Sequence, residues 1–385
     1  MRRILFLILM GLFFLGGCKS EVSIKKINEF SIPFVTKSNY NLSTQLIQNK
    51  YCLIYLDKII SKKLYARSIK DNKLVLDLDL SSLKSIDIDS YNDLYPSCFY
   101  FSKDKILILG TQKNNVLYEM NYNSDLIKTY NTSDTLMLKN ILYFFFSTPF
   151  NPFIALSNNE YICSVLRYLP INTKEGRELY YNLPKLVKIS IVKDSLKLKE
   201  FPILMPFIAR SHPEYDFGDY FLYYTKCSDN IVYGILRTPW IYKYNILTNK
   251  IDSSFLPSKY IIQDSIQPFD SSWYYKDVYN NSEKYFNKTP FYMDIFYNPF
   301  KHCFFRIAKH FKANNNNGKK NKKENWSLLI FNENLKLLNE IPFINDSLYN
   351  RSMFAVSEKG FIIGVNQTKT EIKNKLSQLH DWGQT

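Results

Sequence analysis

The chain has 385 residues, a formal net charge of +15 at neutral pH, 30 tyrosines and 29 phenylalanines. This length fits one large domain or two ordinary ones. The six cysteines include no C-x-x-C pair, and the common catalytic, phosphate-binding and calcium-binding motifs do not occur, so the sequence predicts no metal ion and no other cofactor. Beyond residue 18 the cysteines lie mostly in apolar stretches, where we predict buried free thiols; a single disulfide is the alternative.

The amino terminus has the layout of a secretory signal peptide. Arg2 and Arg3 precede an apolar run from residue 4 to residue 15, which is shorter than the roughly 20 apolar residues of a membrane-spanning helix. The run ends in Leu-Gly-Gly-Cys at residues 15–18, which resembles the lipobox of bacterial lipoproteins. The resemblance implies a signal peptide over residues 1–17, lipid on Cys18 and a tether over residues 18–27. An ordinary signal peptide with a chance cysteine is the alternative.

The residue after the lipobox bears on the address of the protein. Lys19 stands where an aspartate is associated with retention in the inner membrane, so the sequence favours an outer-membrane lipoprotein of the cell envelope, with the leaflet left open. The predicted partner is therefore the membrane, reached through the lipid on Cys18. We reject nucleic acid as a partner, because an exported lipoprotein rarely meets it. The lysine-rich segment 312–325 is interpreted as a solvated loop, with contact to an anionic surface as the alternative.

Short apolar runs separated by polar turns recur along the chain, a pattern typical of an all-β protein. Five segments predict a strand, a turn built on Asp, Asn or Lys, and a second strand; they cover residues 62–80, 115–131, 185–203, 240–257 and 327–343. Further strand pairs are predicted at residues 96–112, 153–167, 220–237, 292–310 and 353–367.

The repeating unit is four antiparallel strands in about 50 residues, and radial repetition of such sheets makes a β-propeller. We therefore predict a six-bladed β-propeller of four-stranded blades over residues 28–367. A solenoid would need shorter units, and a sandwich would not repeat its four-strand pattern five times. The first blade-forming residues, 28–34, are expected to supply the outer strand of the last blade.

The carboxyl terminus departs from this pattern. Ile372, Leu376 and Leu379 follow helical spacing in the atypical tail at residues 368–385. The last blade is therefore expected to be incomplete: short, capped by a helix, or altered by truncation of the gene.

The lipobox, the length, the repeated hairpins and the stretch FYNPFKHCFFRI at residues 296–307 together resemble a family of Bacteroidetes lipoproteins, the class with domain of unknown function 4221. The resemblance implies a six-bladed, propeller-like fold and an envelope address. It implies no activity and supplies no catalytic residue.

The richest polar cluster lies between the outer strand of the third blade and the inner strand of the fourth, at residues 209–220. Carboxylates beside a histidine are suited to acid–base chemistry or to holding a cation. The alternative is a polar loop with Pro213 and Gly218 as turn residues. The ligand-binding residues predicted from this cluster are Arg210, His212, Glu214, Asp216 and Asp219.

Two further features map to the same end of the predicted propeller. Arg167 and Arg237 hold the same offset in the second strands of adjacent blades, with Lys309 near it in the fifth, and guanidinium groups suit carboxylates and phosphates. Trp273 lies in an aromatic insert at residues 265–294, where exposed rings would stack on sugars or peptides. Chance alignment of the cations and simple packing of the aromatic loop are the alternatives.

The sequence thus favours a binding or sensing module for a polar, anionic glycan, peptide or envelope protein. The alternative is a propeller hydrolase or lyase that acts on polysaccharide or peptide. An enzyme needs acid and base residues that converge in a pocket, and the sequence offers one weak cluster, so an enzyme is the less favoured class.

Overall fold

Most of the residues that the computed structural model describes lie in antiparallel strands. The structure describes residues 25–33, 42–57, 62–81, 98–110, 116–131, 137–138, 141–146, 152–167, 173–193, 195–204, 222–236, 238–261, 290–310, 324–346, 349–365 and 373–380, together with the single residues 83, 169, 206 and 210.

Five sheets have four strands each, and in four of these five each strand pairs with the next one along the chain. Sheet 1 contains β2 (Leu42–Ile47), β3 (Lys50–Asp57), β4 (Lys63–Ser68) and β5 (Leu74–Asp79). Sheet 2 contains β6 (Phe99–Phe101), β7 (Ile106–Leu109), β8 (Val116–Met120) and β9 (Leu126–Asn131). Sheet 4 contains β16 (Tyr223–Cys227), β17 (Asn230–Gly234), β18 (Trp240–Asn245) and β19 (Ile251–Phe255), and sheet 5 contains β20 (Phe291–Asn298), β21 (Cys303–Lys309), β22 (Glu324–Asn332) and β23 (Leu337–Asp346).

Sheet 3 has six strands, so the prediction of six four-stranded blades is wrong: five blades have four strands. Its strands are β10 (Met137–Leu138), β11 (Ile141–Phe146), β12 (Ile154–Ser157), β13 (Glu160–Arg167), β14 (Leu186–Val192) and β15 (Ser195–Phe201). Both β11 and β12 pair with β13, so the inner edge of this sheet is split between two strands. The helix α1 (Lys174–Tyr181), which the sequence pattern did not reveal, lies between β13 and β14, and the Thr173 hydroxyl caps it by accepting from the Gly176 N–H at 2.9 Å.

The last sheet is complete, which corrects the expectation of a short or helix-capped blade. Sheet 6 contains β24 (Tyr349–Ser357), β25 (Gly360–Val365) and β26 (Lys373–His380), and β1 (Lys25–Pro33) forms its outer strand, as predicted for the amino-terminal segment. The strand β26 replaces the helix that the spacing of the tail predicted. It pairs with β25 on one side and with β1 on the other, and two rows of backbone hydrogen bonds outweigh a weak local preference for helix.

The turns explain why these residues form hairpins. Asn49, Asn72 and Asn249 adopt left-handed backbone conformations, with φ of 62°, 56° and 56°. Asparagine tolerates this conformation better than most residues because its short amide bonds to the local backbone. The polar turns predicted from the sequence are therefore the points where the chain reverses.

The sheets pack side by side around a centre formed by their inner strands, which include the first strands of sheets 1, 2, 4 and 5 and the strand β24 of sheet 6. The strand β2 lies beside β6 and β24, β24 lies beside β20, and β20 lies beside β16. Sheets 2 and 3 meet through the rings of Tyr100 and Tyr161, whose centroids are 5.4 Å apart. This arrangement is that of a β-propeller. We call the end that carries the turns from first to second and from third to fourth strands the turn face, and the opposite end the loop face.

The core between the sheets is apolar. All five cysteines beyond residue 18 are buried and free, which confirms their prediction as buried thiols: Cys52, Cys98, Cys163, Cys227 and Cys303. No helix within the described residues has the length and apolar character needed to cross a membrane.

Candidate functional site

A cavity of about 690 Å³ lies among the inner strands of sheets 1 to 4. Its walls are residues 43–46 of β2, residues 152–158 around β12, Tyr100 of β6 and Lys226 of β16, together with Tyr51. The volume falls in the range of about 300–1,000 Å³ that small-molecule sites occupy. We call it the central cavity.

The β2 wall of the central cavity is polar, and its side chains also join neighbouring sheets. The Gln45 amide donates from Nε2 to the Phe99 carbonyl of sheet 2 at 2.8 Å. The Thr44 hydroxyl accepts from the Val356 N–H of sheet 6 at 3.2 Å. The Ser43 Oγ is buried and has no hydrogen-bond partner within the described part of the chain. A buried hydroxyl without a partner costs free energy, which a polar ligand or a water would relieve.

Lys226 is the charged residue on this wall; the other described lining residues are uncharged. Its ammonium donates from Nζ to the Ala155 carbonyl of sheet 3 at 2.8 Å. Beside it, the Tyr224 hydroxyl donates to the Pro152 carbonyl at 2.7 Å. Since a lysine ammonium has three donors, two donors of Lys226 are not used by this bond. The cavity therefore carries positive charge and donor capacity.

Two tyrosines add aromatic surface and hydroxyl groups. Tyr51 and Tyr100 both line the cavity, and burial raises the pKa of Tyr100 above its ordinary value. The Tyr100 hydroxyl thus keeps its proton at neutral pH. Ammonium, amide and hydroxyl groups around aromatic rings suit a polar ligand that offers acceptors, and a negative charge on that ligand would meet Lys226.

The structure places the predicted Arg167 inside sheet 3. Only 4% of Arg167 is exposed, and its Nη2 donates to the Pro184 carbonyl at 3.1 Å and to Glu200 Oε1 at 3.0 Å. Its Nε and Nη1 are buried without a partner among the described residues. The ammonium of Lys185, also buried, donates to the Tyr180 carbonyl. Burial, and next the charge of Arg167, hold the pKa of Lys185 well below its ordinary value.

Arg167 is therefore already half of a buried ion pair, and the ligand contact predicted for it stays a prediction. Arg210 lies near the loop face of sheet 4. Burial raises the pKa of Tyr233 there, and the positive charge of Arg210 partly offsets this rise. Lys309 lies over the Phe291 ring, 5.0 Å from its centroid. The other predicted residues lie outside the described residues: Cys18, His212, Glu214, Asp216, Asp219, Arg237 and Trp273.

A serine–histidine–glutamate group in sheet 5 has the composition of a catalytic triad but the wrong order of bonds. The Ser327 hydroxyl donates to Glu340 Oε1 at 2.6 Å, and His310 Nε2 lies 2.9 Å from Ser327 Oγ. Because the Ser327 hydroxyl already donates its hydrogen to Glu340, His310 bonds to Ser327 as a donor and not as a base. The Ser258 hydroxyl also donates to Glu340, so this network fastens the connection after β19 to sheet 5. Among the described residues, no three His, Cys, Asp or Glu side chains are placed to hold a metal ion.

The cavity residues were missed in the sequence because they belong to ordinary-looking strands. Gln45 ends the short polar run at residues 43–45, and Lys226 directly follows Thr225; neither stretch carries a recognisable motif. The signal that would have found them is position: each lies on the first strand of its sheet, and first strands line the centre of a propeller.

Comparison with known proteins agrees with the fold. The family model of the domain of unknown function DUF4221 matches residues 31–342. A crystal structure of a DUF4221 family member from Bacteroides vulgatus is similar over 93% of this chain and 97% of its own, with 16% identity and a TM-score of 0.66. The structure of a putative exported protein from Bacteroides fragilis is similar over 94% of this chain and 95% of its own, with 10% identity and a TM-score of 0.50. The chain matches none of the curated proteins.

Proposed function

The chain belongs to the DUF4221 family, and from this premise we propose that it is a lipid-anchored propeller of the cell envelope that binds a polar, anionic ligand. The observation that carries the binding role is Lys226, an ammonium on the wall of the central cavity with no carboxylate among the described lining residues. The ligand classes are those named from the sequence: a glycan, a peptide or an envelope protein.

We further propose that the sheets close into one ring. Support comes from the side-chain bonds between neighbours, such as Gln45 to the Phe99 carbonyl and Lys226 to the Ala155 carbonyl. A ring held in this way keeps the cavity walls in place before the ligand arrives, which lowers the entropic cost of binding.

The proposed location of the protein rests on its amino-terminal sequence. The lipobox-like residues 15–18 support lipid on Cys18 and an outer-membrane location, and the structurally similar protein from Bacteroides fragilis is described as exported. Two or three acyl chains anchor firmly where one would bind reversibly, since each buried methylene contributes about 0.8 kcal/mol.

Cells that express the wild-type chain and are fed a clickable fatty acid are expected to label it, whereas Cys18→Ala is expected to remain unlabelled. The reason is that the Cys18 thiol is the group that accepts the lipid. In-gel fluorescence of the purified protein measures the label, and Cys52→Ala serves as a control because that thiol is buried in sheet 1. Label on the Cys18→Ala variant, or no label on the wild type, would refute lipid attachment at Cys18 and the location inferred from it.

Lys226→Met is expected to weaken the binding of the anionic ligand about ten- to a hundredfold, since a desolvated charge-assisted hydrogen bond is worth roughly 1.5–3 kcal/mol. An array of acidic and neutral glycans and peptides, probed with the full chain in detergent, selects the ligand, and isothermal titration calorimetry gives the affinities. Lys226→Arg should retain binding because it keeps the charge.

Lys197→Met is the matched control, because Lys197 is exposed on the outer strand of sheet 3. The affinity of the wild type should also fall as salt rises. Equal affinity of the wild type and a folded Lys226→Met variant would refute the cavity as the site. Turnover of an array glycan or peptide that is lost with His212→Ala would instead favour the hydrolase or lyase alternative.

A further inference from the structure

A second cavity, of about 730 Å³, opens on the turn face where the turns of sheets 1, 5 and 6 meet. Residues 49–51 and 68–71 line it from sheet 1, Phe300 lines it from the turn between β20 and β21, and residues 358–359 line it from the turn between β24 and β25. We call it the turn-face pocket. Tyr51 lines both this pocket and the central cavity, so the two are neighbours with separate walls elsewhere.

Two aromatic rings meet in the turn-face pocket. The rings of Tyr51 and Phe300 make an edge contact at 60°, with centroids 4.3 Å apart, and both residues are half-buried. The apolar faces of sugar rings stack on such surfaces, and rigid aromatic residues give a large contact at small entropic cost.

Both rings are held in place by the backbone. The Phe300 N–H donates to Asn298 Oδ1 at 3.0 Å, and Asn298 Nδ2 donates to the Ser357 and Gly360 carbonyls of sheet 6. The Tyr51 carbonyl accepts from the Ile69 N–H at 3.0 Å. The aromatic surface is therefore formed before any ligand binds, as an effective site requires.

The rim of the pocket carries more positive than negative charge. Lys50, Lys70 and Lys359 are exposed there, against the carboxylates of Asp71 and Glu358. Asp71 is already engaged: a hydrogen bond from the Ser68 hydroxyl holds its pKa below the ordinary value, and the Lys73 ammonium lies 4.0 Å away. The lysines thus offer donors to an anionic group beside the rings.

We propose that the turn-face pocket is a second binding site, which takes an acidic sugar residue of a glycan. Its ring packs on Tyr51 and Phe300, and its carboxylate or sulfate accepts hydrogen bonds from Lys70 and Lys359. Asn49 and Glu358 are placed to bond the sugar hydroxyls. The site stands independently of Lys226 and the central cavity, so either can fail without the other.

The probe is tetragalacturonate, titrated calorimetrically into the full chain in detergent at low salt, with maltotetraose and inorganic sulfate as comparison ligands. The double change Lys70→Glu, Lys359→Glu is expected to weaken tetragalacturonate binding at least tenfold. Both lysines are exposed, so the fold should tolerate the change. The matched control Lys197→Glu, Lys199→Glu reverses two exposed charges on the outer strand of sheet 3 and should leave the affinity within twofold of wild type.

Phe300→Leu removes a ring without changing charge and should weaken tetragalacturonate several-fold while sulfate is unaffected. The same titrations in a Lys226→Met background separate the two cavities, because affinity that Lys70→Glu, Lys359→Glu removes in that background belongs to the turn-face pocket. The proposal is overturned if tetragalacturonate does not bind at millimolar concentration, if the double variant binds it as tightly as wild type, or if maltotetraose or sulfate binds equally well.

Discussion

Replacement of Arg306 by methionine is expected to lower the free energy of unfolding by about 1.5–3 kcal/mol, the range for a buried hydrogen bond that involves a charged group. Arg306 lies on β21 and is 1% exposed. Its Nη2 donates to the Ile235 carbonyl of sheet 4 at 2.8 Å, and its guanidinium lies 4.7 Å from the centroid of the Tyr292 ring. Burial lowers the pKa of Arg306 to about 10, so the side chain stays charged at neutral pH.

The cost of losing Arg306 has two sources. The Ile235 carbonyl would lose its donor in the interior, and the buried carboxylate of Asp294, whose charge acts on Arg306, would lose a nearby cation. The site is built for a guanidinium: a methyl group at Gly234 would come within 3.0 Å of Arg306 Nη2. The Gly234→Ala variant should therefore also be less stable than the wild type, because the added methyl group pushes the Arg306 guanidinium away from the Ile235 carbonyl.

Urea denaturation followed by tryptophan fluorescence measures this effect. Arg67→Met is the control: like Arg306, Arg67 donates to a backbone carbonyl, and it donates to the Tyr55 hydroxyl as well, but it is only half-buried. Water replaces its bonds, so its loss should be about 1 kcal/mol. An Arg306→Met variant as stable as Arg67→Met would mean that the buried charge contributes little to joining sheets 4 and 5.

The hairpins were predictable because each is a local pattern: two short apolar runs on either side of a turn that contains Asn, Asp or Lys. The strands β8 and β9 and the strands β18 and β19 fall inside the segments predicted from sequence. What local pattern could not give is pairing between distant parts of the chain. The strand β26 has helical spacing yet pairs with β1, some 340 residues away in sequence. The strand β11 also joins sheet 3, although seven residues separate it from β12.

The candidate site shows the same limit. Arg167 was noticed because its offset matches that of Arg237, but the partner that makes it a buried ion pair, Glu200, is 33 residues away. A sequence cannot tell an arginine that presents donors to a ligand from one that is satisfied by a carboxylate on another strand. Lys226 raised no signal at all, since its role follows from where the inner strands meet.

Replacement of Asn298 by alanine is expected to cost about 2–4 kcal/mol, because two interior carbonyls would lose their donor at about 1–3 kcal/mol each, less any relaxation. Asn298 is fully buried in the FYNPFKHCFFRI stretch. Its Nδ2 donates to the Ser357 carbonyl at 2.8 Å and to the Gly360 carbonyl at 2.7 Å, which joins sheet 5 to sheet 6. Its Oδ1 accepts from the Phe300 and Lys301 N–H groups and so shapes its own turn.

Asn245 provides the matched control for Asn298. Its Oδ1 accepts from the N–H groups two and three residues on, Leu247 and Thr248, as Asn298 does in its turn. Its Nδ2, however, donates to the Asn230 side chain within the same sheet. Asn245→Ala should therefore cost only about 1 kcal/mol, and the difference between the two variants measures the bond between sheets.

Asn298→Asp separates the two roles of the side chain. It keeps an acceptor for the turn but places a carboxylate against two carbonyl oxygens, so it should destabilise at least as much as alanine. Because the Asn298 amide oxygen orients Phe300, Asn298→Ala should weaken tetragalacturonate at the turn-face pocket more than Asn298→Asp does, while both leave Lys226-dependent binding intact. Denaturation curves in which Asn298→Ala, Asn298→Asp and Asn245→Ala coincide would instead assign Asn298 to its turn alone, and the joint between sheets 5 and 6 would then rest on the packing of Phe296 against Phe354, 4.7 Å apart.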